Sequence, residues 1–316
     1  MANILLRSPY YESHPRAAAE SAKLTLEIDG TLRYTIIKDT PTNTVTYEIS
    51  ELCRDYLDIT YAGSYANQSV DIVGEITFYD ATNAGGSTIG SPINFTHKGF
   101  DGYWDYYNTS ATKNFCYSST SANISCLMQD NTTMHVPESE GGFIPVMTAG
   151  SINYISFTGT TTQLAVANPA VTITIQRIPC SKYMPMKVTF VNKYGALQDI
   201  YFDKKSVETM TSTTQTYKNS NISTTGTYTK TTHQYRTLKK TGQERMTLNT
   251  GFIDEGMNEP IKQLMLSEQV WMHMGTEIHP INIVTNSLTL KTKLNDKLIN
   301  YTIEVEHAHE HIDTVR

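Results

Sequence analysis

Apolar residues occupy every second position through Lys23-Leu-Thr-Leu-Glu-Ile-Asp29, so that Leu24, Leu26 and Ile28 fall on one side of an extended chain and polar groups on the other. Asp29-Gly30 supplies a tight turn, and Leu32-Arg-Tyr-Thr-Ile-Ile-Lys38 completes a predicted hairpin that ends at the loop signal Asp39-Thr-Pro-Thr-Asn43. Alternation resumes at Thr44-Val-Thr-Tyr-Glu-Ile49. At Ser50 the period changes. A serine N-cap before Glu51, with Leu52, Tyr56 and Leu57 at helical spacing, predicts a short helix to Tyr56. Strands are expected again at Asp58–Tyr61, Ser69–Tyr79, Ser151–Phe157 and Ala170–Ile178, with a loop-rich, polar excursion between Asn108 and Glu140.

The second half opens with Lys187-Val-Thr-Phe-Val191 and Leu197-Gln-Asp-Ile-Tyr-Phe202 flanking Asn192-Lys-Tyr-Gly-Ala, a hairpin in which Gly195 is free to take a positive φ. Lys204–Tyr217 then carries few large apolar residues, and 15 of residues 201–250 are Thr. Such a strand cannot anchor a core alone; it predicts a long polar ribbon that finds its partner in another copy or another protein, with Ser220–Gly226 as its tip. Return strands are expected at His233–Leu238 and Arg245–Thr250. Asn258, Glu259 and Pro260 then begin a helix over about residues 258–267 with Ile261, Leu264 and Met265 as its buried stripe. Strands close the chain at Val270–His273, Ile281–Val284, Ser287–Thr292 and Leu298–Glu306. The expected fold is mainly β: a β-sandwich-like domain with long loops over residues 1–183 and a β-rich assembly domain over 184–316, the boundary lying near Tyr183-Met-Pro-Met186.

Composition sharpens this picture. Charged residues make up 18% of the chain, below the roughly 25% of an average globular protein, and Thr, Asn, Ser and 20 tyrosines fill the difference. The net charge of −6 excludes a general attraction to phosphate backbones, and the short basic group Arg236, Lys239, Lys240 and Arg245, interrupted by Glu244, reads as a solvated hairpin. No apolar run approaches the 18 or so residues of a membrane-spanning helix, and Ile4-Leu5-Leu6 is too short for the apolar core of a secretion signal. Of the four cysteines none forms a CxxC pair. Cys53 reads as a buried helical thiol; Cys116 and Cys126 are expected as free thiols, with a bond across a hairpin in an oxidising setting as the alternative.

Candidate chemistry is sparse. The chain contains no GxSxG, HExxH, GxxxxGK[ST] or strand-to-helix GxGxxG motif, and no catalytic residue or cofactor is expected. Gly99-Phe-Asp-Gly-Tyr-Trp-Asp-Tyr-Tyr107 brings Phe100, Tyr103, Trp104, Tyr106 and Tyr107 into one aromatic loop, which predicts cover over a β-sheet end or a subunit contact, and in second place a platform that stacks sugar rings. His307, His309 and His311 alternate along an expected strand and form a weak metal-ligand candidate; a strand edge or subunit contact, loosened below about pH 6, is the preferred reading.

Met186-Lys-Val-Thr-Phe-Val-Asn-Lys-Tyr-Gly-Ala-Leu-Gln-Asp-Ile-Tyr-Phe202, Asn249–Trp271 and Leu288–Glu304 resemble segments of tail-associated virion proteins of phages infecting Bacteroidota, over roughly the last 130 residues. That resemblance implies a non-enzymatic structural subunit of the tail, baseplate or neck, assembled into a virion in the host cytoplasm. Its partners would be other virion proteins and copies of itself in a symmetric ring. The competing expectation is a glycan-binding β-sandwich adhesin whose Phe100–Tyr107 loop grips a host-surface glycan.

Overall fold

β-branched Thr and Ile with period-two alternation favour pleated surfaces, and the computed structural model is mainly β, with 53% strand and 7% helix. It describes residues 2–40, 43–107, 124–128, 132–138, 140–166, 171–179, 182–290 and 299–312.

The first stretch contains β1 (Ala2–Leu5), β2 (Tyr11–Pro15), β3 (Ser21–Ile28), β4 (Thr31–Asp39), β5 (Thr44–Glu48), α1 (Ser50–Arg54), β6 (Val70–Tyr79) and β7 (Ile93–Phe100). They form a sheet in the order β1-β7-β6-β3-β4, while β2 and β5 pair separately. The expected β3–β4 hairpin runs from Ser21↔Asp39 to Ile28↔Thr31, turning on Asp29 and Gly30, both at positive φ. Its alternating Leu24, Leu26 and Ile28 meet Ile72, Ile76 and Phe78 of β6 and Val45 and Tyr47 of β5 in one core. The Tyr47 hydroxyl, buried there, donates to the Ala22 carbonyl at 2.8 Å.

Two local expectations change. Ser50 is the first residue of α1, and Ile49 holds the cap position without a side-chain bond. The capping acceptor is the Glu48 carboxylate, which takes the Ser50 backbone N–H at 2.9 Å and also the Ser50 hydroxyl. Asp58–Tyr61 is irregular rather than a strand. Its backbone partner is a side chain: the Gln68 amide accepts from Thr60 N and donates to Thr60 O, each at 2.6 Å.

The middle stretch holds β8 (Ile124–Cys126), β9 (Thr133–Pro137), β10 (Gly142–Thr148), β11 (Ser151–Phe157), β12 (Gln163–Val166) and β13 (Val171–Ile178). These make two three-stranded sheets, β11-β10-β8 and β12-β13-β9, closed on Met134, Val136, Ile144, Val146, Phe157 and Ile173. The loop-rich reading of 108–140 therefore misses β8 and β9, whose short runs carry no long periodicity of their own. Cys53 and Cys126 are buried free thiols, burial raising the first to about 12 and the second in the same direction. Cys116 and Cys180 lie outside the described residues, so the alternative Cys116–Cys126 bond does too.

The last stretch contains β14 (Met186–Val191), β15 (Leu197–Phe202), β16 (Val207–Lys218), β17 (Tyr235–Asn249), α2 (Asn258–Leu266), β18 (Val270–Met274), β19 (Glu277–Ile283) and β20 (Thr302–His307), its seven strands ordered β15-β14-β18-β19-β20-β17-β16. The β14–β15 hairpin forms in the expected place with Gly195 at φ 80°. The two separate return strands expected at His233–Leu238 and Arg245–Thr250 are one continuous strand of 15 residues. Ser287–Leu290 is irregular, residues 291–298 lie outside the described set, and β20 starts only at Thr302. α2 buries Ile261 and Leu264 against the sheet's core, as its spacing predicts, whereas Met265, the third residue of the expected stripe, is only half-buried and Met257 rather than Asn258 holds the cap position. The Asn258 amide oxygen instead accepts from the Tyr301 hydroxyl.

Gly74 faces Phe95 across the β6–β7 pair, and a Cβ there would lie 2.1 Å from the ring. Gly74→Val should displace Phe95 from its seat and lower stability by about 1–3 kcal/mol. The check is a lower urea midpoint at unchanged m; an unchanged midpoint would show that the ring moves aside freely.

Candidate functional site

A sheet has two edges, and the seven-stranded sheet treats them differently. At one, all six residues of β15 are buried, with Tyr201 packed into the core of the middle sheets. At the other, all 12 residues of β16 are exposed, and among the described residues its sole strand partner is β17, from Val207↔Thr247 to Lys218↔Tyr235. β17 is embedded at its far end, where Arg245–Asn249 pairs with Glu306–Thr302 of β20, and exposed over residues 235–240. The pair is therefore an arm with a rooted base, about 40 Å along β16 at some 3.3 Å per residue. A bulge between Gln215 and Thr216 skips Leu238, and the tip closes on an Ile222↔Tyr228 bridge with Gly226 at positive φ.

Exposed apolar side chains ride on this arm: Met210 at 57%, Ile222 at 67%, Tyr228 at 68% and Leu238 at 71% exposure. Between Thr209 and Tyr217 the edge strand has no charge, no proline and no glycine. Natural sheets ordinarily protect such an edge with a charge, a proline or cover, because its outward N–H and C=O groups accept any strand that arrives.

The aromatic loop does not act as one surface. Phe100 is fully buried with Leu5, Met147, Ile152 and Tyr194, and Trp104 packs against that cluster while its backbone N–H donates to Ser8 Oγ at 2.8 Å. The Arg7 guanidinium lies over the Tyr103 ring, 5.2 Å from its centre. Of the five aromatics only Tyr106 and Tyr107 stand in solvent, 94% and 89% exposed, their rings edge to face at 5.8 Å.

The C-terminal histidines separate as well. β20 ends at His307, so the two-residue spacing stops meaning one face: the His307 ring meets His279 edge to face at 5.6 Å, whereas His311 turns back to β17, its N–H on the Gly242 carbonyl and its Nδ1 2.7 Å from Glu244. Among the described residues no group of three or more His, Cys, Asp or Glu is arranged to hold a metal ion.

A polar cluster that the sequence alone does not single out lies on β14, β15 and β18. Cross-strand pairing sets Thr189 opposite Asp199 and Lys187 opposite both Tyr201 and His273, so these side chains share one face. Asp199 accepts from the Tyr65 hydroxyl at 2.6 and 2.7 Å and from Thr189 Oγ1 at 2.7 Å, and Lys187 Nζ stands 3.1 Å away. His273 Nε2 completes the chain, 3.0 Å from Thr189 Oγ1 and 3.2 Å from the Tyr61 hydroxyl. Burial and then the Asp199 charge push the Tyr65 hydroxyl far up. The available signal was Asp199, the one charge inside the strand run Leu197-Gln-Asp-Ile-Tyr-Phe202. With Asp199 taking donors from Tyr65, Thr189 and Lys187, and Tyr61 held on His273, the cluster ties the 58–68 segment to the sheet. A cleft of about 560 Å³ beside it is lined by Glu140, Lys182, Tyr183, Lys187, Tyr201 and His273.

Comparisons with protein-family models, with curated proteins and with solved structures return no match. Among the described residues no helix is long and apolar enough to cross a membrane.

Burial, with Lys187 as the next cause, holds His273 below its ordinary pKa, Asp199 opposing; burial does the same at His135. A depressed histidine binds its proton more readily when unfolded, so its stabilising contribution is full above about pH 6.5 and is lost as pH falls from there toward the folded pKa. His273→Gln should flatten the decline of unfolding free energy between about pH 7 and pH 5. Parallel urea titrations of both proteins check this, and identical slopes would remove His273 as a contributor.

Proposed function

We propose that this chain is a structural subunit of a tailed-phage virion, placed in the tail, baseplate or neck, that works through its interfaces. The observation that carries the reading is the projecting β16–β17 arm, whose outer strand offers a full row of backbone donors and acceptors and is exposed along its whole length. A charge-poor, Thr-rich surface and the resemblance of the last 130 or so residues to tail-associated virion proteins support it too. Cryo-electron microscopy of intact particles tests the placement: symmetric density for this chain at tail or neck is the expected result, and its absence from the particle would overturn the reading.

Replacing residues 213–241 by Asn-Gly, between the paired Ser212 and Gly242, excises the arm while keeping its rooted base. Since the removed side chains are exposed or half-buried, the unfolding midpoint should stay close to that of the intact chain, while incorporation into particles is lost. Incorporation at the intact level would show that the arm is dispensable for assembly.

The exposed Tyr106–Tyr107 pair favours the second reading, a glycan-binding module. Alanine at both positions should then abolish retention on host-surface glycans with stability unchanged; equal retention removes that reading. Trp104 is unsuitable for this test because it is packed against the Phe100 cluster.

A further inference from the structure

Which strand fits the open edge is written in the edge itself. β16 reads Val207-Glu-Thr-Met-Thr-Ser-Thr-Thr-Gln-Thr-Tyr-Lys218, with Glu208 and Lys218 as its only charges, one near each end. Laid antiparallel against a second copy about a two-fold axis at Thr213, the strand places Glu208 of each copy opposite Lys218 of the other. Thr209 then meets Tyr217, Met210 meets Thr216, Thr211 meets Gln215 and Ser212 meets Thr214. The register has the right parity. Strand pairs in which facing residues both point their N–H and C=O toward the partner need positions of equal parity, and here every pair is odd with odd or even with even. Shifting by two residues either way keeps the parity but sets both charges against uncharged residues. A parallel, in-register pairing aligns Glu208 with Glu208 and Lys218 with Lys218, which is repulsive.

We propose that two copies of this chain join through β16, edge to edge and antiparallel about Thr213, so that two seven-stranded sheets continue into one. The inference rests on the reading of the arm as an assembly device and adds its partner and register. The contact is isologous, so it closes on itself at β16, and the edge left on each arm is that of β17 over residues 235–241, where Arg236, Lys239 and Lys240 supply the charges that β16 lacks between Thr209 and Tyr217; this explains how the uncharged β16 edge persists without recruiting strands indefinitely. It covers Met210 and Tyr217, which are 57% and 43% exposed in the single chain. Continued past Lys218, the same register brings Ile222 at each tip level with Lys204 at the base of the other arm, so each tip reaches the other copy's body. Larger assemblies are then built from two-fold pairs, with other surfaces making any ring.

Sedimentation velocity of the full chain and of two charge variants tests this. The wild-type chain should form a dimer. Glu208→Lys alone and Lys218→Glu alone each set two like-charged pairs across the seam and should dimerise about tenfold more weakly or worse. In an equimolar mixture of the two variants, one partner carries a positive charge at both positions and the other a negative charge at both, so each facing pair is again of opposite sign. The mixture should recover wild-type affinity as a heterodimer. Both positions are exposed, so matching unfolding midpoints exclude misfolding as the cause. Under mild oxidation Thr213→Cys should yield a 213–213 linked peptide by mass spectrometry, whereas Thr211→Cys should link only when mixed with Gln215→Cys. A monomeric wild-type chain, or a larger oligomer indifferent to the charge exchange, overturns the self-pairing. Uptake of that chain into particles would then leave the assembly reading standing with a different strand as partner, and failure of uptake would remove both.

Discussion

Every strand carries two rows of backbone hydrogen-bonding groups, and a sheet can satisfy both only where it has a neighbour or solvent on each side. The seven-stranded sheet is organised by that constraint. Its β15 edge lies under the middle sheets, six consecutive residues buried, including Gln198 and Asp199. Burying an edge is tolerable only if the polar groups beneath it find partners. The Asp199 cluster supplies them from two sides: Tyr65 from the N-terminal part, Thr189 and Lys187 from the neighbouring strand. Tyr65 is held in turn by Phe143, stacked at 4.3 Å, so one carboxylate draws the first, second and third stretches of the chain together. Breaking a buried charge pair of this kind typically costs about 3–5 kcal/mol, which makes this a specific joint rather than a greasy contact.

The opposite edge is solved in another way. β16 gains nothing from burial, since all its side chains are exposed, and its order comes from cross-strand bonds to β17. Two-stranded ribbons are marginal in water on their own. This one persists because β17 is a single strand of 15 residues whose base is clamped by β20, where Arg245 reaches both Glu304 and Glu306. The C-terminal turn adds to the clamp: Gly242 has no side chain, the Met210 methyl and the His311 Cβ occupy that space, and the His311 N–H donates to the Gly242 carbonyl. A rigid root with a polar, extended arm is a geometry for reaching another molecule, and it contributes little to the stability of its own fold.

The period-two pattern made most of this legible. Where alternation and a turn pair coincide, at β3–β4 and β14–β15, the hairpins form in the expected places, and the helix over Asn258–Leu266 lies where Pro260 and the Ile261/Leu264 spacing put it. What escaped was structure built on partners distant in sequence. Asp58–Tyr61 alternates like a strand, yet its apolar residues point into a patch with Trp271 and Ile278 while Gln68 takes the place of a strand partner. β8 and β9 are three and five residues long, too short to show a period, and exist because β10 and β13 lie beside them. The aromatic loop and the histidine run each split into separate surfaces for a related reason: sequence proximity does not give a common face once the backbone leaves the strand, as it does after Phe100 and after His307. Beyond the one carboxylate in Leu197–Phe202, the Asp199 cluster escaped because its members lie at positions 61, 65, 187, 189, 199 and 273, and only the sheet's register assembles them.

The composition takes on a mechanical sense in this light. An arm made of Leu and Ile would bury itself against its own body or aggregate before meeting its partner, and one made of Lys and Glu would repel any strand but an opposite one. Threonine avoids both: its β-branch holds the extended conformation, its hydroxyl keeps the surface soluble, and its small size leaves the backbone accessible for pairing. Recognition then has to come from the few residues that are not threonine. With 12 residues of edge and two charges, the positions of those charges are the main information the strand carries about its partner. They lie ten residues apart with opposite sign and equal distance from Thr213, an arrangement whose complement is the same strand reversed.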